Sequence, residues 1–147
     1  MNSLEKSYQA LRECQARESL LLGDLHQLLD QPTSVQTRRS LLRVCDRLLA
    51  DLPRHLELAC EGGYLQEVHR LRPNWHYQVD KLRGANLWCI AVLRELRDRI
   101  ACEAPSGKIE TKESGEINAW AQSLSAVRDN ESRILQRAFT TDIGGEA

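Results

Sequence analysis

The sequence predicts an all-α protein: an antiparallel, up-down four-helix bundle with a short extra helix between the second and third long helices. Three observations predict it. Apolar residues recur at spacings of three and four in four separate segments, the period of one helix face. No segment shows the period-two alternation of a half-buried strand. The connections between segments are short and marked by Pro or Gly, and long helices so joined pack as antiparallel neighbours. At 147 residues the chain matches one domain. A domain of that length buries about two-thirds of the surface its unfolded chain exposes.

The first helix is expected over residues 3–30, with the stripe Leu4, Tyr8, Leu11, Gln15, Glu18, Leu22, Leu25 and Leu29. Asn2 is placed to cap its start, with Glu5 three residues on, and Gln31-Pro32 ends it. Thr33 and Gln36 form a capping box for the second helix, whose stripe is Leu41, Cys45, Leu48, Leu52, His55 and Ala59. That helix is expected to continue to Glu61 and stop at Gly62-Gly63, with Pro53 kinking it ahead of His55. A short helix over residues 64–71 follows.

Pro73 and Asn74 start the third long helix, which reaches Cys102 along the stripe Trp75, Val79, Leu82, Asn86, Cys89, Leu93, Leu96 and Ile100. Residues 104–115, with Pro105, Gly107 and Gly115, lack apolar periodicity and read as a flexible loop. The fourth helix is expected over residues 116–139, with the stripe Ile117, Trp120, Leu124, Val127, Glu131, Ile134 and Ala138. Residues 140–147, with Gly144-Gly145, read as a turn and a tail.

Each stripe is interrupted by a polar residue. A face at this spacing is buried, and a buried polar group is costly unless it is paired. Gln15 or Glu18, His55, Asn86 and Glu131 are therefore expected to meet one another, a water or a metal. Bundles can hold metals on inward-facing side chains, and iron or zinc takes His and carboxylate ligands. The helical ligand pair is a His and a Glu one turn apart, because i and i+4 share a face. Here half of each pair is missing: His55 has Ala59 at i+4, and Glu131 has Val127 at i−4. Asn86 and Gln15 are weak ligands; Glu18 is a good one but lies nearer the edge of its stripe.

Composition excludes several classes. Twenty basic against 21 acidic residues give a net charge of −1, with no electrostatic reason to bind nucleic acid or an anionic membrane. Arg is interleaved with Asp and Glu, the pattern of solvated, salt-bridged helix faces. The longest apolar run, residues 87–93, is far short of a membrane span. Residues 1–6 meet charge at once without an apolar core, which argues against a targeting segment. The five cysteines are odd in number and form no C-x-x-C pair, so free thiols and a reducing, cytoplasmic location are expected. Cys60 is set about 100° around the helix from Ala59 and is expected to face a neighbouring helix.

No nucleophilic triad or phosphate loop is present, because Gly62-Gly63 and Gly144-Gly145 both end helices. A phosphotransfer bundle would need an exposed histidine; His55 is on a buried stripe, and His26, His69 and His76 have no following Lys-Gly. His69 and His76 read as solvated. Trp88 and Ile90, off the centre of the third stripe, are the best candidates for an exposed apolar patch that binds a partner.

The segment His55-Leu56-Glu57-Leu58-Ala59-Cys60-Glu61-Gly62-Gly63-Tyr64 resembles the H-F-x-x-E-E-E-G-G-Y signature of bacterial hemerythrin-like (HHE cation-binding) domains. The stretch from Val127 through Glu131-Ser132-Arg133-Ile134-Leu135-Gln136-Arg137-Ala138-Phe139 to Asp142-Ile143-Gly144 resembles that group's H-E-x-x-E-N-x-L-L-Q-x-A-Y followed by D-I-G. Lys81-Leu82-Arg83-Gly84-Ala85-Asn86-Leu87 is similar in place to its L-x-x-E-H-x-x-L helix. The resemblance spans essentially the whole chain, and the Gly-Gly-Tyr corner and the C-terminal stretch are its most specific parts.

Carried over residue by residue, the resemblance implies a degenerate ligand set. His55 matches a family histidine and Glu131 a family carboxylate. Ala59 stands for a carboxylate, and Asn86 and Val127 stand for histidines. The first-helix histidine falls on Gln15 by stripe alignment, or on His26 by spacing to His55. A di-iron centre needs about five or more protein ligands with a bridging carboxylate, and this set does not supply them. The resemblance therefore implies a hemerythrin-like protein that has lost di-iron binding, has no enzymatic activity and no cofactor, and serves a structural, regulatory or interaction role with a protein partner. The alternative is a sensor or carrier holding one iron or zinc on His55 and Glu131, with Glu18 or His26.

Overall fold

The computed structural model describes residues 3–61, 65, 70, 73–102 and 110–143. Among them are four long helices and no strand: α1 (Ser3–Asp30), α2 (Val35–Ala59), α3 (His76–Ala101) and α4 (Thr111–Ile143), with a 3-10 turn (Pro73–Trp75) leading into α3. The four helices form a bundle around a leucine-rich core. No helix among the described residues is long and apolar enough to cross a membrane.

In α1 the inward face is Leu11, Cys14, Glu18, Leu21 and Leu25, all buried, while Tyr8, Gln15, Leu22 and Leu29 are half-buried. The face is thus turned slightly from the expected stripe. Spacings of three and four in strict alternation make the narrow seam of a helix packed mainly against one neighbour, here α2. That rotation brings Glu18, expected at the edge, to the centre.

The cap of α2 lies one residue beyond the expected Thr33–Gln36 box. Ser34 is extended (φ −152°, ψ 167°) and its Oγ accepts from the Thr37 amide at 3.0 Å. The Thr37 hydroxyl accepts from Ser34 Oγ at 2.9 Å, so Ser34 and Thr37 form the cap. The helix runs unbroken through Pro53 and stops at Ala59, short of Glu61, where the Cys60 amide donates to the Leu56 carbonyl at 2.8 Å. Every stripe residue of α2 and of α3, with Trp75 ahead of it, is buried.

The end of α3 is capped from across the bundle. Arg38, at the start of α2, donates Nε and Nη2 to the Ile100 carbonyl at 3.1 and 2.8 Å, and Nη2 to the Ala101 carbonyl at 3.1 Å. The last carbonyls of a helix lack an intrahelical donor as a rule, and a cation there also complements the helix dipole. Side-chain pairs tie the remaining faces: Asp46 with Arg97 at 2.7 Å, Glu61 with Arg83 at 3.1 Å, Arg17 with Asp51 at 3.6 Å and Arg99 with Glu116 at 2.7 Å. The buried Trp120 indole N–H donates to the Cys89 carbonyl at 2.9 Å and fixes α4 on α3.

Two expected boundaries of the fourth helix are corrected. It begins at Thr111, inside the stretch 104–115 that reads as a loop, and it continues to Ile143, inside the expected tail. Its first turn is polar and at most half-buried, so it has no apolar period to betray it. It is instead held by the Glu113 carboxylate, which accepts from the Glu110 amide at 3.1 Å. The Asn2 cap, the Gly62-Gly63-Tyr64 corner, His69 and Gly144-Gly145 lie outside the described residues, as do the side chains of Leu4 and Ala138. Of the expected short helix 64–71, Leu65 and Arg70 are described and helical, and Leu65 is fully buried.

Candidate functional site

Among the described residues four polar ones are buried inside the bundle, one from each helix: Glu18, His55, Asn86 and Glu131. They meet at one level, joined by half-buried Gln15 and by Arg128 of α4. His55 is the hub and is completely enclosed. Its Nε2 lies 2.7 Å from Glu131 Oε2 and 2.9 Å from Oε1. Its Nδ1 lies 2.8 Å from Glu18 Oε2, an ion-pair contact. That nitrogen makes no hydrogen bond, the one buried side-chain polar atom of which this is true among the described residues.

Arg128 clamps Glu18 with Nε on Oε1 at 2.6 Å and Nη2 on Oε2 at 3.2 Å, a bidentate pair. Its Nη1 donates to Asn86 Oδ1 at 2.7 Å and approaches Glu131 Oε1 at 3.5 Å. Asn86 in turn donates Nδ2 to the Leu82 carbonyl one turn back, at 2.9 Å. Gln15 Nε2 donates to Glu131 Oε2 at 3.0 Å. Cys14, one turn before Glu18 on the same face, places Sγ 4.0 Å from Glu18 Oε2 and 3.7 Å from the Asp51 carbonyl.

The electrostatics of the group follow from this packing. Burial alone would lower the His55 pKa, but its contacts with Cys14, Glu131 and Glu18 outweigh that and raise it to about 10. Burial alone would raise the Glu18 pKa, but His55 and Arg128 reverse the sign and hold it below the usual carboxylate value. Arg128 remains charged beside both carboxylates. With His55 protonated, two carboxylates face two cations, and the buried cluster carries no net charge.

A di-iron centre does not fit these side chains. Arg128 engages both oxygens of Glu18 and approaches Glu131, which opposes either carboxylate bridging two metal ions, and His55 Nε2 is taken by Glu131. Ala59 and Val127 have no donor atom, and the Asn86 and Gln15 amides are committed to neighbours.

The structure thus brings Gln15, Glu18, His55, Asn86 and Glu131 together, while His26 is exposed on α1 and takes no part. His76 is exposed and pairs with Asp80 one turn on, at 3.0 Å. Of the two off-centre apolar residues, Trp88 is exposed and Ile90 is buried against the core. Cys60 is buried near Glu131, and burial pushes its thiol up to about 12, as it does for Cys45.

Sequence reasoning missed Arg128 and Cys14. Arg128 passes for one more charge on a solvated face; its signal is its place at i−3 from Glu131 beside the stripe. Cys14 had a signal too, in its i+4 spacing to Glu18. Comparison with known proteins adds no relative: no family model, curated protein or solved structure matches this chain.

Proposed function

We propose that the chain is an antiparallel, hemerythrin-like bundle that has exchanged a di-iron centre for an internal ion-pair network. Its role on this reading is non-catalytic: a structural, regulatory or interaction module in the cytoplasm with a protein partner. One observation carries it. The Arg128 guanidinium, bidentate on Glu18 and 3.5 Å from Glu131, supplies inside the bundle the positive charge that metal ions would otherwise bring to these carboxylates. The pairings of Arg38 with Ile100, Asp46 with Arg97 and Glu61 with Arg83 support the antiparallel order of α2 and α3. The alternative, a metal held by His55 and Glu131 with Glu18 or His26, is less well supported, because Glu131 already accepts from both His55 and Gln15 and His26 is exposed.

The test is iron content and absorption of protein purified from iron-supplemented cells. The expected result is substoichiometric iron and no oxo-bridged di-iron absorption. Two irons per chain with that absorption would overturn the reading.

A further inference from the structure

His55 Nε2 is held by Glu131, whereas Nδ1, 2.8 Å from a Glu18 oxygen, makes no hydrogen bond. Three ligand atoms of different chemistry converge there: Cys14 Sγ, a Glu18 oxygen and a His55 ring nitrogen, all buried and all within 4.8 Å of one another. Cys14 and Glu18 come from successive turns of α1 and therefore share its face. His55 Nδ1 is fully buried, aimed into this group and without a hydrogen bond. We infer that Cys14, Glu18 and His55 form a binding site for a single zinc ion, sharing only His55 with the ligand positions that the hemerythrin-like resemblance implies.

The geometry is close to what zinc requires. Tetrahedral zinc with bonds of about 2.3 Å to sulfur and about 2.0–2.2 Å to nitrogen and oxygen sets ligand atoms roughly 3.4–3.6 Å apart. The Sγ to Oε2 separation is 4.0 Å and the Nδ1 to Oε2 separation is 2.8 Å. Shifts of about half an ångström bring these two separations to tetrahedral values, and the Cys14 Sγ to His55 nitrogen separation lies within 4.8 Å. Thiolate, imidazole and carboxylate together suit zinc better than a hard cation.

Charge balances as well. As zinc binds, Cys14 Sγ and His55 Nδ1 each release a proton to solvent. Two positive charges leave and two enter, so the cluster stays neutral and Arg128 keeps its place. His55 then retains its proton on Nε2 and donates it to Glu131, which Gln15 also holds. A metal-bound histidine whose other nitrogen donates to a carboxylate is the usual second layer of a zinc site. Gln15 and Arg128, which flank the group from α1 and α4, are partly exposed. A water completes the tetrahedron.

The site would pin α1 to α2 and so make bundle rigidity depend on zinc. It goes beyond the function proposed above and does not require it. The experiment is titration of the metal-free 147-residue chain with Co2+, followed by displacement with Zn2+. The expected result is one Co2+ per chain with thiolate-to-cobalt charge-transfer absorption, abolished by stoichiometric Zn2+. Cys14→Ser should remove that absorption and weaken Zn2+ binding at least tenfold, while Cys102→Ser should leave both intact. The thiolate absorption of the parent protein is a test in itself, independent of how any variant folds. Absence of Co2+ binding, binding without thiolate absorption, or full absorption in Cys14→Ser would each overturn the site. None of these results bears on iron content, which decides the proposed function separately.

Discussion

Arg128→Met removes the cation that neutralises the Glu18–His55–Glu131 group while keeping an apolar stem of similar reach. Two carboxylates would then share one imidazolium, leaving a net charge of −1 among side chains that are 3% exposed or less. Breaking a buried ion pair from one side typically costs about 3–5 kcal/mol. Arg128 is itself 14% exposed, which places the expected loss near the lower end, about 3 kcal/mol. That is a large share of the ~5–15 kcal/mol that holds an ordinary domain together. Urea unfolding followed by circular dichroism measures it through the midpoint and slope. Adding Glu18→Gln should recover part of the loss, because it restores neutrality and leaves the His55–Glu131 pair intact. A coupling of about 0.5–3 kcal/mol between the two positions is expected from residues in direct contact. Arg128→Met within about 0.5 kcal/mol of the parent would refute the argument that this arginine compensates buried charge.

Glu131→Ala should also cost about 3–5 kcal/mol, since it strips His55 Nε2 and Gln15 of their acceptor; an unchanged melting temperature would show that Glu131 is not buried beside His55. Stability should fall toward both ends of the pH scale. The His55 pKa is raised from 6.5 to about 10, so its contribution is complete below 6.5 and is lost as pH rises through 10. The Glu18 pKa is lowered, so its contribution is present above the ordinary value of 4.5 and is lost as pH falls through its folded value. A urea midpoint that stays level across the alkaline window contradicts the His55 half of this. Of the five cysteines only Cys102 is exposed, and burial raises Cys45 and Cys60 to about 12. With an aromatic disulfide reagent at mildly alkaline pH, Cys102 should therefore form a mixed disulfide rapidly and release one equivalent of coloured thiolate, with none released fast in Cys102→Ser; several fast equivalents would mean the core is open. Ser34→Ala should cost about 1 kcal/mol, read by the same unfolding assay, and no loss would discount the cap on α2.

The stripes of α2 and α3 were legible residue by residue because each helix is packed from two sides, which gives a wide, regular apolar face. In α1 the face was legible but not its centre: adjacent leucines at 20, 21 and 22 allow several registers, and only contact with α2 selects Leu21 over Leu22. The start of α4 was hidden because a polar turn without apolar contacts carries no period. The site divides the same way. His55, Asn86 and Glu131 stand out as polar residues where the period demands apolar ones. Arg128 does not, because an arginine beside Asp129 and Glu131 looks solvated until Glu18, 110 positions away, is seen across from it. Periodicity reports which face is covered, and says nothing of a long side chain that reaches inward from the edge.

The neutrality of the Glu18–His55–Glu131–Arg128 group also constrains how this sequence can change. Any single replacement of a charged member leaves an odd charge in the core, so each lone step is a stability loss. Removing one carboxylate together with one cation crosses that barrier with both charges gone. Positions 18 and 128 should therefore drift as a couple, and so should 55 and 131. In a selection for folded variants with all four positions randomised, survivors should be charge-matched pairs or fully apolar sets, with few single losses between them.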